Sequence, residues 1–78
     1  MYQLKRGKRP ELLKRGFKIN QWNECEKTLK NKKMTVRKRN ICIFYIYEDE
    51  FWGRTYKESN ITEKKLIEFD VFDLIEEI

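Results

Sequence analysis

The sequence contains no histidine and no alanine, one proline, three glycines and only two cysteines. Without histidine, the side chain that most often moves protons near neutral pH is missing. No nucleophile elbow, phosphate loop or carboxylate pair with an evident partner stands in for it. The expectation is a protein that is not an enzyme. Cys25 and Cys42 form no C-x-x-C pair, and neither has a good zinc ligand beside it, so neither metal nor cofactor is expected. The run Glu48-Asp49-Glu50 is the one candidate for a divalent cation, and a solvated turn is the preferred reading of it. No apolar run approaches a membrane span and no signal-peptide pattern is visible. Two reduced cysteines in a cytoplasmic protein with no membrane partner is the expectation, with Cys42 buried as a small hydrophobe.

What is abundant is charge, and it is divided along the chain. Residues 1–39 carry fourteen Lys and Arg against three Glu, a balance of 14 − 3 = +11. Residues 40–78 carry four Lys and Arg against ten Asp and Glu, a balance of 4 − 10 = −6, leaving a net charge of +5. Either the halves fold against each other and neutralise, or a basic surface remains to meet phosphate or an acidic protein face. Residues 1–78 make one small domain with a modest core, of a size often helped by a second subunit. No internal repeat or linker divides it.

The centre of the chain is Met34 to Tyr47. Ile41 to Tyr47 is an uninterrupted run of β-branched, aromatic and thiol side chains, too short for a typical helix and suited to a buried strand. Ile41, Ile43, Tyr45 and Tyr47 share one face; Cys42, Phe44 and Ile46 share the other. Met34 and Val36 alternate with Thr35 and Arg37 in a preceding half-buried strand. A straight strand would place Lys38 and Asn40 on the apolar face, so Arg37-Lys38-Arg39-Asn40 is either a tight turn or a bulge. The turn is preferred, with Asn40 as the residue of positive φ.

Around this centre, residues 1–9 read as a flexible basic arm or as a short edge strand from Tyr2 to Lys5. Pro10 to Gly16 is a compact helix, with Pro at its start and a left-handed glycine cap at its end. Phe17 should pack back onto that cap. Trp22 to Leu29 is assigned to a strand over a helix because Lys30 to Lys33 reads as a hairpin turn. Phe51 to Tyr56 is another strand, with Gly53 as a bulge. A long C-terminal helix then begins near Asn60 or Thr62, with Asn60 and Glu63 spaced as a capping box. Its apolar stripe is Ile67, Val71, Leu74 and Ile78, widened by Leu66 and Ile75. The expected fold is α+β: a three- to four-stranded antiparallel meander, a short N-terminal helix, and a longer C-terminal helix packed on one face.

Two binding surfaces compete. For a protein partner, Trp52, Phe51, Phe69 and Phe72 exceed what so small a core buries, and aromatic and Arg residues anchor interfaces. Arg37, Arg39, Trp52 and Phe69 are the expected contacts. Exposed strand edges also allow a homodimer. For nucleic acid, Lys5, Arg6, Lys8, Arg9, Lys14 and Arg15 offer phosphate contacts, and Arg37, Lys38 and Arg39 adjoin the aromatic central strand.

The segments Leu4-Lys-Arg-Gly7, Leu12-Leu-Lys-Arg-Gly-Phe-Lys18 and Phe72-Asp-Leu-Ile-Glu-Glu-Ile78 together resemble short accessory proteins of phages and prophages from low-GC Gram-positive bacteria. The match covers about a third of the chain; it departs from the pattern over Arg37 to Tyr47 and at the end, where the glycine expected after the last helix is absent. The abundance of Lys, Ile, Asn, Glu, Phe and Tyr, all with AT-rich codons, agrees with such a source. The resemblance supplies no catalytic residues. It implies a phage-type binding protein acting in the host cytoplasm, and within that class an anti-CRISPR protein: an inhibitor that occludes a host defence nucleoprotein such as a CRISPR effector. The alternative is a small basic nucleic-acid-binding or regulatory protein.

Overall fold

The computed structural model describes residues 1–78. The elements in chain order are β1 (Tyr2–Leu4), α1 (Arg9–Lys14), β2 (Lys18–Ile19), β3 (Cys25–Leu29), β4 (Lys32–Arg37), β5 (Asn40–Asp49), β6 (Gly53–Ser59), α2 (Glu63–Glu68), a 3-10 turn (Phe72–Leu74) and β7 (Ile75–Glu77). The strands form one antiparallel sheet in the order β2-β3-β4-β5-β1-β7, with β6 also paired to β5. The sheet curls into a half-barrel. At ten residues β5 is the longest strand, and it organises the sheet. One of its edges pairs with β4 from Asn40 to Tyr45. The other edge is shared, by β1 at Asn40 and by β6 from Ile43 to Asp49. The β5–β6 hairpin therefore runs on past β4 as a two-stranded ribbon.

Strand register explains the core. Cys25, Val36 and Ile41 stand side by side across β3, β4 and β5, and Met34 pairs with Ile43 in the next inward row. These residues, Leu4 and its cross-strand partner Ile75 are buried from the sheet side; Leu12, Phe17, Leu66, Phe69, Val71 and Leu74 close over them. The opposite sheet face carries Glu26, Thr35 and Cys42 in one row and Lys33, Phe44 and Glu58 in another. No helix covers it, so Cys42, Phe44 and Ile46 are only half-buried.

Lys27 is a charged residue on the inward face, opposite buried Met34. Its stem lies along the core and its head escapes to the rim, as long cationic side chains do. There Nζ donates to the carbonyl of Arg15 at 2.9 Å and to that of Phe69 at 3.3 Å. Arg15 and Phe69 are the C-terminal caps of α1 and α2. Both helices end in the same way. The Phe17 amide reaches back to the Leu12 carbonyl, and the Val71 amide to that of Leu66. This is the six-to-one bond of a Schellman motif, and in each case two buried apolar side chains flank it. Gly16 supplies the left-handed residue in the first motif (φ +94°), and Asp70 supplies it in the second (φ 60°).

This second cap overturns the expected fold. The meander with a longer C-terminal helix is replaced by a mostly β architecture, 46% strand and 19% helix. α2 stops after six residues. Its N-cap is Thr62, whose side chain accepts from the Lys65 amide; the Asn60–Glu63 capping box does not form. Beyond Asp70 the chain extends, and Ile75–Glu77 pairs with Tyr2–Leu4. Strand pairing satisfies backbone groups there and buries Leu74 and Ile75, whereas a continued helix would have had only one apolar stripe to bury. Ile67, part of the expected stripe, is 61% exposed, and Ile78 is exposed too. The flexible-arm reading of residues 1–9 fails for the same reason, because β1 lies between β5 and β7 with Leu4 buried.

Other local readings shift by a few residues. Arg37 and Asn40 pair across a two-residue turn, and Lys38 (φ 57°), not Asn40, takes the positive φ. Only Cys25–Leu29 of the expected Trp22–Leu29 strand is extended. The Asn20 side chain instead accepts from the amides of Trp22 and Glu24 and holds a turn. The charge-divided halves do fold together: Arg15 pairs with Asp73, Lys32 with Glu68 and Arg39 with Glu76.

Two measurements check this account. Asp70→Gly should hold or raise stability by up to about 1 kcal/mol, whereas Asp70→Val should cost about 1–2 kcal/mol, because only glycine adopts the left-handed region without strain. A continuous helix would reverse the sign of the glycine effect, so urea denaturation of the pair decides it. Lys27→Met keeps the apolar stem but leaves two helix-end carbonyls without their donor. It should lower stability by about 1.5–3 kcal/mol, the range for hydrogen bonds to a charged group; an unchanged urea midpoint would contradict the bridging role.

Candidate functional site

The residues expected to bind do not gather in one place. Phe69 is 0% exposed in the centre of the core, so it offers nothing to a partner, and its assignment as a contact is corrected. Its aromatic ring is what α2 buries, one residue before the chain turns left-handed. Arg39 is committed internally, donating to the Leu4 carbonyl and to Glu76. It fixes the junction of β1, β5 and β7. Arg37 and Lys38 remain exposed on the β4–β5 turn. Trp52 lies at the far end of β5, roughly 30 Å away by strand rise. Arg37 and Trp52 therefore belong to separate surfaces.

The N-terminal basic set is likewise partly consumed. Arg15 makes two hydrogen bonds to Asp73, at 2.6 and 2.9 Å, and one to the Asp70 carbonyl at 2.8 Å. The Asp73 hydrogen bond raises the Arg15 pKa, and the same bond holds the Asp73 carboxyl below its ordinary value. Arg9 donates twice to Asn23, Lys14 pairs with Glu11, and Lys5 reaches the Asp73 carbonyl. Within that set, the Arg6 and Lys8 side chains alone make no hydrogen bond or ion pair.

Two features of the ribbon stand out instead. The first is its tip. Asp49 pairs with Gly53, and the three residues between them form the turn. The Asp49 side chain accepts from the amides of Phe51 at 2.8 Å and Trp52 at 3.1 Å. Gly53 completes the turn at φ +74°. Phe51 and Trp52 are thus turn residues and not part of the following strand, and their side chains are 88% and 81% exposed. No group of three or more potential metal ligands converges anywhere in the chain. Glu48 instead faces Arg54 across the ribbon at 3.8 Å.

The second feature is Tyr45. Lys32 on β4 and Lys57 on β6 are its direct cross-strand neighbours, so one row on the inward face reads Lys32, Tyr45, Lys57. Side chains of α2 reach this row, so Lys32 and Tyr45 are half-buried while Lys57 is exposed. The Lys65 ammonium lies 5.2 Å from the Tyr45 ring centroid and donates to the Ser59 hydroxyl and the Asn60 carbonyl. Tyr47 follows on the same face, its ring centroid 6.4 Å from that of Tyr45. The Ser59 hydroxyl and then the Lys65 ammonium favour the Tyr45 phenolate and lower its pKa. Lys32 also pairs with Glu68 at 2.6 Å, and this hydrogen bond lowers the carboxyl's pKa, with Lys64 and Lys30 adding to the positive potential there. The lysine row escapes sequence reasoning because Lys32 falls in a stretch that reads as a turn. The signal is present all the same: once Arg37 and Asn40 face each other across a two-residue turn, counting outwards brings Lys32 opposite Tyr45.

No family model matches the chain, and no curated protein or solved structure matches it either.

A spectrophotometric titration should show one tyrosine ionising below the ordinary tyrosine value of 10.0. Tyr45→Phe should remove that step, and Lys65→Met should move it upward. If all tyrosines of the native protein titrate together, the arrangement of Ser59, Lys65 and Tyr45 is wrong.

Proposed function

We propose that this is a non-enzymatic binding protein whose ribbon tip docks in an apolar pocket of a protein partner. The observation that carries this reading is the pair Phe51 and Trp52, held outside the core on a turn that Asp49 fixes. A tryptophan with its backbone already ordered loses little entropy on binding, which is what an interface anchor requires. The molecule measures 41 × 26 × 18 Å, an elongated shape suited to entering a cleft. The resemblance to phage accessory proteins directs the proposal to one class of partner. That class is a host defence nucleoprotein such as a CRISPR effector, inhibited by occlusion, and such a role puts the protein in the host cytoplasm. No helix is long and apolar enough to cross a membrane.

Nucleic-acid binding is the second reading. One observation favours it, the lysine-flanked Tyr45. The N-terminal cluster gives it less support, because Arg9 and Arg15 already have internal partners. Homodimerisation through the outer edge of β6 would be visible as a doubled mass in light scattering.

The test uses a purified CRISPR effector ribonucleoprotein and the purified protein. Trp52→Ala should weaken binding by about 30-fold or more, the effect of losing roughly 2 kcal/mol at an interface anchor. Its urea midpoint should stay at the wild-type value, since the ring touches no core. Arg37→Ala should change affinity by less than about threefold, because an exposed rim charge contributes little. Wild-type affinity in Trp52→Ala would exclude the tip as the docking element. Failure of the wild-type protein to bind or inhibit any effector complex would exclude the defence-inhibitor role.

A further inference from the structure

We infer that the inward face of the ribbon around Tyr45 and Tyr47 binds single-stranded nucleic acid, with the tyrosines stacking on bases and Lys32, Lys57 and Lys64 contacting phosphates. The surface uses no residue of the tip, so either proposal can fail without the other.

The geometry meets three requirements of a single-strand platform. Such surfaces combine aromatic faces with cations that follow the sugar–phosphate backbone. Tyr45 and Tyr47 are two residues apart on one strand and share a face, and Tyr47 is 47% exposed. Tyr47 offers the more open ring; Tyr45 is half-buried with the Lys65 ammonium over one face, which leaves its other face for a base. Cations lie on both sides of the tyrosines in fixed register, Lys32 on β4 and Lys57 on β6. Charge is in excess: Lys57 and Lys64 have no carboxylate partner, and Glu68 is the one acid that pairs with this group of lysines. In the Lys32–Glu68 contact the carboxylate is the more exposed partner, and a phosphate reaches Lys32 by replacing it.

Lys65 has a different part. Its hydrogen bonds to Ser59 and Asn60 tie α2 to the end of β6 and hold the Tyr45 ring in place. It is a positioning residue for the platform. A duplex keeps its base faces stacked inside and offers the tyrosines nothing to stack on, so the preference should be for single strands. An acidic protein would engage the lysines but would leave the two tyrosine rings without a role.

Fluorescence anisotropy tests this with a labelled oligo-uridine RNA and an oligo-thymidine DNA of about 12 nucleotides, and a duplex of the same length, at salt from about 50 to 150 mM. The expected result is single-strand binding that persists at the higher salt and exceeds duplex binding. Tyr47→Ala should weaken it about fivefold or more, the lower end for removal of one stacking partner. Tyr45→Phe should retain it, since the ring remains. Lys57→Ala with Lys64→Ala should weaken it and reduce the salt slope by about 0.7 for each phosphate that is no longer neutralised. Trp52→Ala should bind as wild type. The inference is overturned if the wild-type protein does not bind single strands at the higher salt. It is equally overturned if duplex binds as tightly, or if Arg37→Ala with Lys38→Ala weakens binding as much as the Lys57 and Lys64 changes. Urea midpoints of each variant separate a binding defect from unfolding, and Tyr47, at the exposed end of the pair, keeps the test open should a Tyr45 variant unfold.

Discussion

The ammonium of Lys27 lies between two helix C-termini, and the layer that covers the sheet depends on it. Each helix end presents carbonyls with no partner inside the helix, together with the negative end of its dipole. A cation on the sheet that reaches both ends satisfies the carbonyls and sets the distance between α1 and α2 in one step. The Phe17 ring, 5.6 Å from the same ammonium, adds a further favourable contact. The helices are six residues each, too short to be stable alone. Their stability comes from this clamp and from the apolar residues that flank the two Schellman caps. A lysine is well suited to the position because its stem can lie beside Met34 while its charge stays at the rim.

The second constraint is the sharing of one β5 edge between β1 and β6. Since β1 takes the first residue of that edge and β6 most of the rest, the chain termini are drawn into the sheet at one end and the ribbon is pushed out at the other. Folding the acidic C-terminal half onto the basic N-terminal half follows from this arrangement. β7 brings Glu76 to Arg39, and the cap of α2 brings Asp73 to Arg15. These pairs are partly exposed and individually contribute little stability. Their effect is on the surface: they neutralise part of the N-terminal basic cluster that composition alone makes prominent, and they leave Lys57 on β6 and Lys64 on α2 without acidic partners.

The sequence is legible where side-chain period and turn chemistry agree. The turn between β4 and β5 and the shared face of Ile41 and Ile43 follow from alternation, and the α1 cap follows from Gly16; which of the two faces turns inward does not. The C-terminal segment is not legible, for a physical reason. Asp70 takes the conformation normally signalled by glycine, and residues 66–78 carry apolar positions that satisfy a helical stripe and a cap-plus-strand arrangement almost equally well. The decision rests on long-range pairing with Tyr2–Leu4, which no local pattern reports. Phe69 is misread through the same ambiguity. For the candidate surfaces, the presence of surplus aromatics is readable from composition. Which of them remain outside is not, since that depends on where α2 ends. The lysine row beside Tyr45 needs the β5–β6 register, and that is set by Asp49 and Gly53 at the tip.

The placement of both candidate surfaces on the ribbon has a common cause. Thirteen residues form the core, and a chain of this size cannot bury a ten-residue strand along its whole length. The part of β5 beyond α2 is held mainly by cross-strand pairing, which is marginal for an isolated hairpin. Several features offset that weakness. The Ile46 amide is held by the Asn31 carbonyl, Lys65 ties β6 to α2, and Asp49 orders the tip. Apart from the Lys65 ammonium over Tyr45, these contacts support the ribbon without covering its side chains. Aromatic rings that a core would otherwise absorb therefore stay in solvent on an ordered support, and this is the condition under which exposed Tyr, Phe and Trp side chains can bind a partner at low entropic cost.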